Sequence, residues 1–306
     1  MATTNGSDSS LAIEVHKLTF AFPHSTSKLP ALKDVDLVLP RGSICILVGS
    51  NGAGKSTLLQ ILAGKRLTKS HAMVLGSDVF QKTPPGVTYL GMEFVNNPVV
   101  RSDLGVAHFL DSVGGYKHKA RRDRLLDILD VDLDWHMHQI SDGERRRVQI
   151  VQGLMAPWEV LLLDEVTVDL DVLVRSQLLE FLKEECAERK ATVLYATHIF
   201  DGLDSFPSHV AHIQLGATTQ PEPIPWPITT EDIPGVPRGV VAEMENPNRA
   251  GSRMLALALS WLKEDKAVRL KLEESGDIRA RGRRKEAPET TDSETFYRKY
   301  DYSNSA

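Results

Sequence analysis

The chain has 306 residues, 42% hydrophobic and 25% charged, with a formal net charge of −5. This is the composition of an ordinary globular protein, long enough for one large domain with an appendage or for two domains, and it offers no global positive field to nucleic acid or an anionic membrane. Two cysteines, Cys45 and Cys186, do not make a disulfide framework and fit a reducing compartment, and no run of about 18 apolar residues supplies a membrane span.

Residues 1–10 are small and polar, without the basic and apolar regions of a secretory leader, and are expected to be disordered. From there the pattern predicts strands. Leu11–Leu18 alternates imperfectly and Val35–Leu39 cleanly, as strands with one wet face do, while Ile44–Val48 is continuously apolar, as suits a central parallel strand. The run Gly49, Ser50, Asn51, Gly52, Ala53, Gly54, Lys55, Ser56, Thr57 follows, then Leu58, Leu59, Ile61 and Leu62 at helical spacing. Strand, glycine-rich turn and helix is the context in which G-x-x-x-x-G-K-[ST] binds phosphate. Glycines let backbone N–H groups face a β-phosphate, and the helix start adds its positive dipole end. Lys55 can reach the β- and γ-phosphates and the Ser56 hydroxyl can hold Mg²⁺, so the run predicts a nucleoside triphosphate site.

The helix after this loop ends near Gly64. Residues 100–137 read as helical, and Ser141 starts a helix that runs through Met155 and stops before Pro157. Val160–Leu163 is a second buried strand, and it ends in two carboxylates, Asp164 and Glu165. Asp164 would hold Mg²⁺, and Glu165 would address the water that attacks the γ-phosphate. A helix over 172–188 and strands at Thr192–Ala196 and Val210–Leu215 complete an alternation that implies a parallel α/β sheet.

After Gly216 the character changes. Six prolines between Pro221 and Pro237 read as an extended linker over 217–250. Met254, Leu257, Ala258, Trp261 and Leu262 then form one apolar stripe on a helix over 251–275, expected to pack on the core or on a second subunit. Residues 276–306 are a polar tail. Its run from Arg279 to Lys285 reads as a solvated charged linker, a nuclear address or an RNA contact.

Four motifs in order carry a family resemblance over residues 12–215. Besides the phosphate loop, Val160-Leu-Leu-Leu-Asp-Glu-Val-Thr-Val-Asp-Leu-Asp171 resembles the Walker B strand and D-loop of ATP-binding-cassette (ABC) proteins. Ile140-Ser-Asp-Gly-Glu-Arg-Arg-Arg-Val-Gln149 resembles their L-S-G-G-Q signature, and Thr197-His198 stands where they have a switch histidine. The resemblance implies an ABC-type P-loop NTPase over 11–216: a mostly parallel core sheet, an antiparallel β subdomain and a helical signature subdomain, followed by the C-terminal extension. It implies ATP and Mg²⁺ as ligands and a head-to-tail dimer. Ser141 and the Gly143 backbone, with Asp142 and Glu144 in the same signature, would meet the γ-phosphate held by a second copy. His198 would hydrogen-bond the γ-phosphate or the attacking water, and Asp171 would join the two sites. Phe22 matches the aromatic that stacks on adenine, with Phe20 a rival and a packed core position the bland alternative.

Two positions depart from the family pattern. Where a glutamine normally ends the strand Val87–Gly91, the chain reads Met92-Glu93-Phe94, and Glu93 is a candidate metal ligand as a carboxylate. In the signature, Asp142 replaces glycine and Glu144 replaces glutamine, placing carboxylates near a triphosphate. These departures resemble the small ABC proteins that carry one nucleotide domain and no membrane domain. That group includes a fungal factor associated with the CCR–NOT complex and the plant non-intrinsic class I members. The expected function is therefore an ATPase that dimerises around ATP to switch a protein assembly in transcription or messenger-RNA regulation. The expected location is the cytoplasm, with the nucleus added if the basic run is an address. The alternatives are the ATP-binding subunit of a transporter whose membrane domain is a separate chain, and a binding module with little turnover.

Overall fold

The computed structural model describes residues 10–23, 29–68, 70–91, 101–246, 251–278 and 281. The expectations for residues 1–9, for Glu93 and its neighbours, and for nearly all of the basic run and tail lie outside them.

In chain order the elements are β1 (Leu11–Phe20), β2 (Leu32–Pro40), β3 (Ile44–Val48), α1 (Lys55–Leu62), β4 (Ala72–Val74), β5 (Ser77–Asp78) and β6 (Val87–Leu90), then α2 (Val106–Ser112), α3 (Lys119–Leu129) and α4 (Asp142–Leu154). They continue with β7 (Val160–Asp164), α5 (Val172–Arg189), β8 (Thr192–Ala196), β9 (His209–Gln214), β10 (Ala217–Thr218), β11 (Ile224–Pro225), α6 (Val240–Glu245) and α7 (Arg253–Glu274).

Two sheets result. The strands β2-β1-β4-β5 form an antiparallel sheet. The larger sheet runs β10-β9-β3-β8-β7-β6, parallel from β9 to β6, with β10 and β11 antiparallel to β9. Every residue of β3, β7 and β8 is buried, which is why these strands read as unbroken apolar runs rather than as alternation. Two cores lie on either side of this sheet. One joins α1 and the antiparallel strands to Cys45, Leu47, Leu162 and Leu194. The other joins Ile46, Leu161, Val193 and Tyr195 to the helices. This is the α/β architecture expected, with a mostly parallel core sheet, an antiparallel β subdomain and a helical subdomain.

Two regions differ from expectation. Helix covers only part of 100–137. Asp130 ends α3 in the left-handed region at φ 50°, and the following segment returns beside the start of α2, with a bridge between Gly105 and His136. The proline-rich stretch is not a free spacer. Ile224, Trp226 and Ile228 are buried while Pro225 and Pro227 face out, so the prolines hide a period-two pattern. Ile224 pairs with Val210 of β9, and the Trp226 indole donates to the Asp204 carbonyl at 2.8 Å. The stripe on α7 packs on the core: Met254, Leu257, Ala258 and Trp261 are buried in the same cluster as Ile46 and Val193. Asp204 fixes the start of α7 by accepting the Arg253 and Met254 N–H groups at 3.0 and 2.8 Å.

Candidate functional site

The phosphate loop connects the end of β3 to the start of α1, and its glycines are required by geometry. A Cβ on Gly49 would stand 2.4 Å from the Ile213 carbonyl oxygen of β9. Gly54, at φ 104°, would drive one into Leu32 and the Ala31 carbonyl. Lys55 is buried, and its ammonium donates to the Gly49 carbonyl at 2.7 Å, the Ser50 carbonyl at 3.3 Å and His198 Nε2 at 2.9 Å. Burial lowers the Lys55 pKa, opposed by the charges of Glu165, Asp164 and Asp265.

The ends of β7 and β8 supply the rest. The Ser56 hydroxyl on α1 donates to Asp164 Oδ1 at 3.0 Å, and the Tyr89 hydroxyl on β6 donates to Asp164 Oδ2 at 3.2 Å. Burial raises the Asp164 pKa, and these hydrogen bonds together with Lys55 and Arg146 hold it down. Glu165 turns into the left-handed region at φ 54°, an uncommon conformation for a residue with a Cβ, and its N–H donates to the Ala196 carbonyl at 3.0 Å. Its carboxylate accepts the His198 backbone N–H at 3.3 Å, while burial raises its pKa. His198 Nε2 also lies 3.4 Å from Glu165 Oε1. Burial, then the Lys55 charge, lowers the His198 pKa, which favours the neutral ring, and with Lys55 donating at 2.9 Å Nε2 is placed as an acceptor rather than in an ion pair with Glu165.

These residues fit a Mg²⁺–triphosphate group. A cradle that excludes a Cβ, an ammonium resting on loop carbonyls, and a hydroxyl beside a carboxylate match its oxygen chemistry.

The signature residues stand at the start of α4. Ser141 caps the helix. Its hydroxyl accepts the Glu144 N–H at 3.2 Å, and its own N–H and hydroxyl donate to Glu144 Oε2 at 2.7 and 2.8 Å. Those hydrogen bonds hold the Glu144 carboxyl below its usual range. Asp142 turns to Arg145 at 2.7 Å and Arg101 at 3.1 Å. Gly143, which follows it in the first turn, would bring a Cβ 3.6 Å from the Asp169 carbonyl. Asp171 caps α5 through the Leu173 and Val174 N–H groups, both at 3.0 Å, and takes Arg147 of α4 at 3.1 Å.

Between the two aromatic candidates, Phe22 is the exposed ring, with the Arg66 guanidinium 4.9 Å from its centroid. Phe20 packs beneath, edge to face at 5.2 Å, against the antiparallel core.

Three residues that motif reading passed over also touch this region. Arg146 of α4, fully buried, donates to the Gly91 carbonyl at 2.7 Å and to the Val166 and Glu165 carbonyls at 3.4 Å. It therefore joins the signature helix to the ends of both β6 and β7. Tyr89 is the second donor to Asp164. Arg281, from the basic run, places a guanidinium nitrogen 3.4 Å from where a Gly52 Cβ would be.

The ABC transporter family profile matches residues 32–168. The chain is 39% identical to CCR4-associated factor 16 of Saccharomyces cerevisiae over 85% of its length and 97% of the yeast protein. It is 46% identical to ABC transporter I family member 21 of Arabidopsis thaliana, over 71% of the chain and 79% of the plant protein. Its fold is similar to that in the dimeric structure of a bacterial ABC transporter cassette, with TM-score 0.58 at 20% identity, covering 68% of this chain and 97% of that one.

Proposed function

The chain belongs to the ABC transporter family, and from that premise we propose that it is an ATPase that closes as a head-to-tail pair around two Mg·ATP and uses the closure to switch a protein assembly. One observation carries the reading. Lys55, Ser56, Asp164, Glu165 and His198 converge on the phosphate loop, whereas Ser141 stands exposed at a helix start. A second copy would bring that helix start, with its N–H groups, over the phosphates. Val168, Val172 and Leu173, exposed around Asp171, offer an apolar surface for that approach.

ATP and Mg²⁺ supply the transferable phosphoryl group and the charge that neutralises it. Lys55 would exchange the Gly49 and Ser50 carbonyls for phosphate oxygens, within the cradle of Gly49, Ser50, Asn51, Gly52, Ala53, Gly54 and Thr57. Ser56 and Asp164 would hold the metal, with Glu93 a further candidate. Phe22 would stack on the adenine. Glu165 would orient the water as a carboxylate, and neutral His198 would hydrogen-bond the γ-phosphate or the water. Ser141 and Gly143 of the second copy would complete the site, with Asp142, Glu144 and Asp171 shaping its approach.

The yeast relative's name, a CCR4-associated factor, supports a partner assembly of the CCR–NOT type, and with it the proposal extends to a role in transcription or messenger-RNA regulation in the cytoplasm, with the nucleus added if the basic run is an address. The likeness to a bacterial transporter cassette favours a second reading, the ATP-binding subunit of a transporter. Among the described residues no helix is long and apolar enough to cross a membrane, so such a transporter would need a separate membrane chain. Glu165→Gln separates these readings. With Mg·ATP the variant should accumulate as a dimer in light scattering, and affinity capture should recover regulators of messenger RNA. A permanent monomer sinks the paired mechanism, and a recovered permease selects the transporter.

A further inference from the structure

Away from the nucleotide loop, two chain segments of the helical subdomain run side by side just before the signature. The Val106 and Ala107 N–H groups donate to the Trp135 and Leu133 carbonyls at 2.8 and 3.1 Å, and the Met137 N–H donates to the Leu104 carbonyl at 2.8 Å. Gly105 and His136 form a bridge between them. This pairing presents three side chains at one point on the surface. Asp103 Oδ1 lies 2.8 Å from His136 Nδ1 and 3.2 Å from His138 Nδ1. The two imidazoles stand edge to face with centroids 5.8 Å apart, and one ligand atom from each of the three residues lies within 4.8 Å of the others.

We propose that Asp103, His136 and His138 form a divalent transition-metal site of the zinc class, with water in the open position. Two imidazoles and one carboxylate are a borderline donor set that suits Zn²⁺ and disfavours Mg²⁺ or Ca²⁺, which take oxygen cages. The spacing agrees. Tetrahedral zinc with bonds of about 2.0–2.1 Å puts neighbouring donor atoms about 3.3 Å apart. The two nitrogen-to-oxygen separations here need to open by only a few tenths of an ångström. Backbone hydrogen bonds on both sides of His136 fix the segments that carry the ligands, so little ordering is left for the metal to impose. An ordinary surface cluster of acids would lack both the imidazoles and this pairing.

The position gives such a metal a lever. Gln139 and Ile140 alone separate His138 from the signature serine, and Arg101, two residues before Asp103, pairs with Asp142 of α4 at 3.1 Å.

The test uses full-length protein, freed of any affinity tag, stripped with chelator and kept nucleotide-free. Excess Mg²⁺ is present to occupy the oxygen-rich site at Ser56 and Asp164. Co²⁺ is titrated and its visible absorption followed, then Zn²⁺ is added in competition. One equivalent per chain should give the intense bands of a four-coordinate site, displaced by Zn²⁺. His138→Ala and Asp103→Asn should each weaken binding at least about tenfold, while His108→Ala, on the same subdomain, should leave it unchanged. Equal binding by the parent and the His136→Ala, His138→Ala double variant overturns the assignment, as does parent binding no tighter than that of free imidazole. Because no nucleotide is present, this outcome is independent of whether the chain hydrolyses ATP.

Discussion

Asp142 and Glu144 both bring a carboxylate to the signature, and their surroundings separate their effects. Asp142 is held by Arg145 and Arg101, which hold its carboxyl below the usual range and balance its charge. Glu144 instead grips Ser141, which also lowers its pKa, and so remains an anion beside the serine proposed to meet a partner's γ-phosphate. Glutamine could keep the same capping box without the charge. A carboxylate about 4 Å from one phosphate charge costs about 1 kcal/mol in water. The pair contains two such contacts, so Glu144→Gln should tighten the ATP-driven dimer about fivefold per site, about 25- to 30-fold in all, in sedimentation at low salt, with the gain shrinking as salt screens it. Asp142→Gly should not give that gain, because it also releases Arg101 and Arg145. If Glu144→Gln leaves dimerisation unchanged, the glutamate does not face the incoming phosphate.

At the scale of the element, α4 is more than the carrier of the signature. Its three consecutive arginines go to three places. Arg145 turns back to Asp142 and the Met137 carbonyl, Arg146 enters the core, and Arg147 reaches Asp171, the cap of α5. Arg146 clasps the Gly91, Val166 and Glu165 carbonyls, the points where β6 and β7 deliver their functional residues. Replacing it with methionine keeps the volume but leaves those carbonyls unmatched. The expected cost is about 3 kcal/mol, read as a lower urea midpoint with unchanged slope, together with slower ATP turnover. Arg146→Lys should recover little of either, since a single ammonium cannot span the fork of acceptors. Wild-type turnover in Arg146→Met would show that the clasp serves packing alone.

The same helix shows what could be read in advance. The phosphate loop was legible because phosphate forces glycine, lysine and serine into fixed places, as the close approach of Ile213 to Gly49 shows. Strands β3, β7 and β8 were legible because burial on both faces leaves an unbroken apolar run. Arg146 was not, since three arginines in a row suggest a solvated face. The signal that existed was its helical register with buried Gln149 and Ile150, three and four residues on. The extension was misread for a related reason. Proline at every second position reads as linker composition, yet in Ile224-Pro-Trp-Pro-Ile228 the prolines fall on the outward face and the apolar side chains on the inward one.

For the whole molecule, that extension decides what counts as a folding unit. Trp226, Ile228, Val236, Val240, Met254, Leu257 and Trp261 belong to one buried cluster with Ile46, Val193 and Val210 of the central sheet. Trp261 also stacks on His212 of β9 with centroids 4.7 Å apart, and Asp265 accepts hydrogen bonds from His212 at 2.9 Å and Gln214 at 2.8 Å. Strand β9 is the one that sets Ile213 against Gly49, so α7 braces the strand beneath the phosphate loop. A core shared in this way should melt as one. Full-length protein should show a single urea transition, with fluorescence and circular dichroism coincident. Trp261→Ala should remove about 3–5 kcal/mol, a large part of the roughly 5–15 kcal/mol that holds a typical domain folded. A chain ending at Thr218 should aggregate, because the apolar surface it uncovers is continuous with the core. Trp261→Ala should also bind ATP more weakly at temperatures where it is still folded, since β9 loses its brace. Two separated transitions, or a truncated cassette as stable as the whole, would instead make the extension an independent domain and leave the phosphate loop indifferent to it.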